Sequence, residues 1–115
     1  MPNTREPKTF NLYVVCNEAG RPTAVANIDT GCCADKLFVF ADDEIVWYAS
    51  ENFALAFDSE SPISSNGFRP KSKVRTTRGK KLKGKVKGGL PAGREYKYSL
   101  ETDHGVLDPA IIIER

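Results

Sequence analysis

Along most of the chain, apolar and polar residues alternate with a period of two. In "TFNLYVVCNE", Phe10, Leu12, Val14 and Cys16 share one face and Asn11, Tyr13, Val15 and Asn17 the other, the pattern of a half-buried strand. "EAGRPT" follows with Gly20 and Pro22 as turn residues, and "AVANID" reads as the return strand of a hairpin. "LFVF" and "EIVWY" are short, rich in β-branched and aromatic residues, and separated by the acidic turn "ADDE". "NFALAF" sets Phe53, Leu55 and Phe57 on one face, and "REYKYSLET" sets Tyr96, Tyr98 and Leu100 against Lys97, Ser99 and Glu101. In "LDPAIIIER", Pro109 fits the start of a strand whose Ile run is apolar at every position, as in a strand covered on both faces or central in its sheet.

No stretch of useful length carries apolar residues at helical spacing. The pattern predicts an all-β protein of seven or eight short strands separated by Gly, Pro, Asn and Asp turns, packed as a two-sheet sandwich. Its predicted core is Phe38, Phe40, Trp47, Phe53, Leu55, Phe57, Tyr98, Leu100 and Ile111 to Ile113. With 115 residues, 40% hydrophobic and 28% charged, the chain suits one soluble domain spanning 1–115. No run approaches the roughly 18 apolar residues of a membrane span. The N-terminal "MPNTREPKTF" lacks the apolar stretch of a secretory leader, so a cytoplasmic location is expected. Three cysteines are an odd number. A bond between the neighbours Cys32 and Cys33 would be strained, which leaves Cys16 paired with one of them or three free thiols, and the expected role of all three is that of small buried hydrophobes.

Two segments carry these words further. "DDEIVWYASENFALAF" resembles the acidic turn, "V-x-W" strand and short link of the cupredoxins, the Greek-key β-sandwich family of plastocyanin and azurin. "EYKYSLETDHGVLDPAIIIE" is similar to that family's last two strands and metal loop, and looks closest to small members that lack the copper ligands. The resemblance spans residues 37 to 58 and 94 to 115 and implies a cupredoxin-like Greek-key sandwich.

It also implies where copper would sit, and the residues there are the wrong ones. A blue-copper centre takes two imidazoles and one thiolate with a weak axial group. This chain has one histidine, His104, and its only methionine is Met1. The link expected to hold the first histidine is "ASEN", with Asn52 near that place. Spacing from His104 puts Ser99 at the thiolate position, whereas sheet parity with Tyr96 and Tyr98 puts Leu100 there. Parity is the stronger rule, because a slip of one residue would turn the Tyr face to solvent. The axial position falls on Val106, Leu107 or Asp108. His104, within "DHGV", reads as an exposed turn residue. Cys16, Cys32, Cys33 and His104 match tetrahedral zinc in number but in no standard spacing. Ser99, His104 and Asp103 are close in sequence without forming a known catalytic motif. The acids Asp42, Asp43 and Glu44 read as a solvated turn. No cofactor and no catalytic residue is expected.

Charge supplies the remaining signal. Residues 1 to 60 hold four basic and ten acidic side chains, a net of −6. Residues 61 to 88 hold ten basic and no acidic ones, and residues 89 to 115 hold three and five. The ten are Arg69, Lys71, Lys73, Arg75, Arg78, Lys80, Lys81, Lys83, Lys85 and Lys87, in a basic hairpin or loop over 69–88. Such a run attracts polyanions, guards a strand edge, or meets the acidic half of its own chain. No aromatic residue lies between Arg69 and Gly88, so a base-stacking platform is absent from the segment itself. The expectation is a non-enzymatic, copper-free cupredoxin-like binding or interaction module of unknown partner, an acidic protein and nucleic acid being the two candidates. Polyanion or nucleic-acid binding through 69–88 is the first alternative, and a metal-binding electron carrier with unorthodox ligands the second.

Overall fold

Tyr96, Tyr98, Leu100 and Thr102 are buried while the residues between them are exposed or half-buried, so the strand Glu95–Thr102 keeps strict parity from end to end. A computed structural model describes residues 6–58, 61–64, 74–75 as backbone, and 81–114. Ten strands form among them: β1 Thr9–Cys16, β2 Pro22–Asn27, β3 Lys36–Val39, β4 Glu44–Tyr48, β5 Ala54–Phe57, β6 Val74–Arg75, β7 Lys81–Lys85, β8 Glu95–Thr102, β9 Gly105–Leu107 and β10 Ala110–Ile113. β6 and β9 are only two and three residues long. The architecture is the all-β sandwich that the alternation leads one to expect.

One sheet runs β2-β1-β4-β7 and the other β3-β10-β8-β5-β6, with β9 paired to β8. β1 and β2 form the expected antiparallel hairpin, its register shifted between Val15 and Cys16. β1 also lies parallel to β4, and β10 parallel to β3. β6 pairs with β5 and β7 with β4, so the basic segment contributes to both sheets.

Leu12, Val14, Ile45 and Trp47 point inward from the first sheet and meet Leu37, Val39, Leu55, Phe57, Tyr96, Tyr98, Leu100, Ile111 and Ile113 of the second. The Trp47 indole N–H donates to the Tyr98 hydroxyl across 3.1 Å. The two rings stand edge to face at 5.9 Å, and Phe57 closes on Tyr98 at 5.2 Å. A satisfied polar bond inside an aromatic cluster fixes how the sheets face each other, because a shift would strand a buried donor.

Three core assignments change, those of Phe38, Phe40 and Ile112. Phe38 is 51% exposed and Phe40 half-buried, because parity in β3 turns Leu37 and Val39 inward and leaves Phe38 on the outer face. In "LFVF" every position is apolar, so the run itself offers no phase, and only the exposed Lys36 at the start of β3 marks the outward face. Ile112, the register partner of Phe38, is half-buried for the same reason. β10 is nonetheless central, between β3 and β8, as its uniform apolarity leads one to expect.

The acidic turn is also different from the expected solvated one. Asp43 is fully buried. Its carboxylate accepts the backbone N–H of Lys8 and of Phe40, each at 2.9 Å. Asp42 takes a positive φ of 71° to make the turn, a conformation that Asp tolerates better than most residues. The pair ties the start of β1 to the β3–β4 connection.

Candidate functional site

At the end of the sandwich where β4 passes to β5 and β8 to β9, Leu100 is 0% exposed. Its register partners are Leu55 on β5 and Leu107 on β9. Ser99 lies on the opposite face of β8, half-buried and paired with Ala56. Of the two registers read from sequence, the inward one therefore belongs to Leu100, and an aliphatic side chain fills it.

The loop beyond is held by Thr102. Its buried hydroxyl donates to the Gly20 carbonyl at 2.9 Å and accepts the backbone N–H of His104 at 3.2 Å. The His104 side chain is 54% exposed, with Nε2 at 3.7 Å from Oε1 of Glu51. Both side chains rest over Gly20, which adopts φ +79°; a Cβ there would meet Glu51 and His104. An exposed turn histidine beside a carboxylate is what results.

Among the described residues no group of three or more His, Cys, Asp or Glu side chains gathers as a metal site. The cysteines do not behave as the expected buried hydrophobes: Cys32 and Cys33 are exposed and Cys16 only half-buried, and all three are free thiols. Cys32 and Cys33 occupy the turn after β2, where Cys33 bridges Ala26 at the sheet edge, so neither has a core side to face. Burial, and then the negative charge of Glu51, push the Cys16 thiol up from its ordinary range. The whole chain supplies one imidazole, and the inward position on β8 is the hydrocarbon side chain of Leu100.

The lysines form the second region. Arg69, Lys71, Lys73, Arg78 and Lys80 lie outside the described residues, and Arg75 is described only as backbone in β6. Lys81, Lys83, Lys85 and Lys87 are all exposed. The first three project from β7 on the solvent face of its sheet, opposite Tyr48, Val46 and Glu44 of β4. Lys83 Nζ stands 3.4 Å from Glu44 Oε2, and Lys81 Nζ lies 5.9 Å from the centre of the Tyr48 ring. Pro62 to Ser64 covers the far edge of β7 where Lys85 and Lys87 make backbone bonds, at 2.8 Å each.

Sequence reasoning missed the aromatic neighbours of these lysines. Tyr48 pairs with Lys81 on one side and with Tyr13 of β1 on the other. The outward parity of Tyr13 was readable, but its adjacency to Tyr48 depends on a parallel pairing of strands 35 residues apart, which no local signal announces.

No family model matches the chain, and no curated protein matches it. Among solved structures it is similar to an amicyanin point mutant in its reduced Cu(I) form at pH 4, with 12% identity over 97% of this chain and 86% of that one, at a TM-score of 0.49. No helix among the described residues is long and apolar enough to cross a membrane.

Proposed function

We propose that the chain is a non-enzymatic, copper-free binding module on a cupredoxin-like sandwich. The observation that carries this reading is Leu100, fully buried at the inward register of β8 between Leu55 and Leu107, where copper binding would call for a thiolate. Enzyme chemistry has little to draw on. The Thr102 hydroxyl is committed to Gly20 and to His104 N–H, Ser99 faces away from Leu100 and Thr102, and His104 sits in solvent beside Glu51. A nucleophile needs a base aimed at it, and no such pair is supported among the described residues. Three free thiols suit the cytoplasm, where we place the protein.

A second observation favours one kind of ligand. Lys81, Lys83 and Lys85 stand on one solvent-facing side of β7, a linear array of positive charge suited to a polyanion. The copper question is tested by dialysing the purified protein against excess Cu(II), returning it to metal-free buffer, and measuring metal content and the visible spectrum. The reading predicts far less than one copper per chain and no intense visible band. One retained copper per chain with such a band would overturn it.

A further inference from the structure

The sheet β2-β1-β4-β7 turns one face to the core and the other outward, where Val46 is nonetheless covered, at 4% exposure, and its register defines what stands beside what on that face. Ala26, Tyr13, Tyr48 and Lys81 form one row across the four strands; Asn11, Val46 and Lys83 form the next, and Thr9, Glu44 and Lys85 the third. Two tyrosines therefore sit side by side on adjacent strands, about 4.8 Å apart in backbone, with small alanines beyond one and a lysine line beyond the other. Tyr13 is 37% exposed and Tyr48 half-buried.

We propose that this face binds single-stranded nucleic acid without sequence preference, bases stacking on Tyr13 and Tyr48 and phosphates lying along Lys81, Lys83 and Lys85. The proposal rests on reading the chain as a binding module and names its ligand class. Aromatic side chains on neighbouring strands of an open sheet offer a flat platform to unpaired bases. In a duplex those π-faces are already stacked, so a duplex could use only the charges. Lysines two apart on a strand are spaced about 6.8 Å, a step that an extended phosphate backbone can follow. The ammonium of Lys81 over the Tyr48 ring makes a weak contact, which it gives up to meet a phosphate. The Lys83–Glu44 pair is likewise at the surface and holds little against a competing anion. Glu44, and Asp29 bonded to Asn11 at 3.2 Å, bring negative charge to the same face, which limits affinity and makes it sensitive to salt. An acidic protein would satisfy the lysines and leave the paired rings without a role.

The test uses the full chain and fluorescence anisotropy with four probes of matched length: an oligouridylate, an abasic strand of the same charge, a duplex, and heparin. The base-bearing strand is expected to bind at least about tenfold tighter than the abasic one, since stacking contributes that much per base. Replacing Tyr13 and Tyr48 together by Val should remove most of this advantage, the Phe replacements should keep it, and heparin binding should change less than about twofold. Changing Lys81, Lys83 and Lys85 to Gln should flatten the slope of log K against log salt by about 2, from roughly 0.7 per phosphate contact. Equal binding of base-bearing and abasic strands by the unaltered protein, or a duplex bound as tightly as the single strand, overturns the proposal while leaving polyanion binding in place. Failure of all four probes to bind overturns both.

Discussion

Truncating Leu100 to Ala tests the pleat on which the copper-free reading depends. The side chain is fully buried and opposed by Leu55 and Leu107 on the flanking strands. Removing three carbons forfeits about 2.4 kcal/mol of transfer free energy, at roughly 0.8 kcal/mol per methylene. The residual cavity adds to this, because strands on both sides restrain collapse, so a loss of about 3 to 4 kcal/mol is expected. That is a large part of the stability of a domain this size and should lower Tm by about 12 to 16 °C, at roughly 4 °C per kcal/mol. The neighbouring change Ser99→Ala, on the outer face, should stay within about 0.5 kcal/mol. Urea unfolding followed by Trp47 fluorescence and by circular dichroism measures both. Were Leu100→Ala to cost under 1 kcal/mol, or Ser99→Ala to cost as much, the inward register would be wrong and the reading of a filled site with it.

Two further outcomes follow from the core and the thiols. Tyr98→Phe strands the Trp47 N–H, now 3.1 Å from the hydroxyl, and should cost about 1 to 3 kcal/mol, whereas Tyr96→Phe should be neutral or slightly stabilising, since among the described residues the buried Tyr96 hydroxyl has no partner; denaturant midpoints compare them. Burial first, and Asp35 after it, outweigh the Trp47 bond and raise the Tyr98 pKa, so the unfolded chain releases this proton at a lower pH than the native one. Its stabilising effect is complete below about pH 10 and falls above it by about 1.4 kcal/mol per pH unit, a slope that unfolding measured against pH should find reduced by that amount in Tyr98→Phe. Alkylation followed by mass spectrometry should modify the exposed Cys32 and Cys33 well before Cys16, whose raised pKa keeps it a thiol, and Glu51→Gln should speed Cys16; equal rates at all three would contradict the burial of Cys16.

How far the sequence could be read depends on whether a strand alternates. β8 alternates without interruption, so Tyr96, Tyr98 and Leu100 could be placed inward, and with them the aliphatic filling of the loop end. The apolar run "LFVF" has no phase of its own; only Lys36 at the start of β3 marks the outward face, and it is the pairing of Phe38 with Ile112 of β10, a non-local fact, that sets both on the outer side of the sheet. Asp43 escaped because an acid in a turn looks solvated until the backbone N–H groups of Lys8 and Phe40 are brought to it, the former from the start of the neighbouring strand β1, 35 residues earlier. The lysine row could be read from composition, but its tyrosines could not, since they reach it through strand pairings and lie outside the basic segment altogether.

The most direct test of where this molecule meets its ligand is a two-dimensional amide NMR titration of the labelled protein with an unlabelled oligouridylate. Shifts confined to the outward-facing register of β1, β4 and β7, around Tyr13, Tyr48, Lys81 and Lys83, are the predicted result, with Gly20, Glu51 and His104 undisturbed. Shifts centred on the Gly20, Glu51 and His104 loops, with the lysine face silent, would contradict the account.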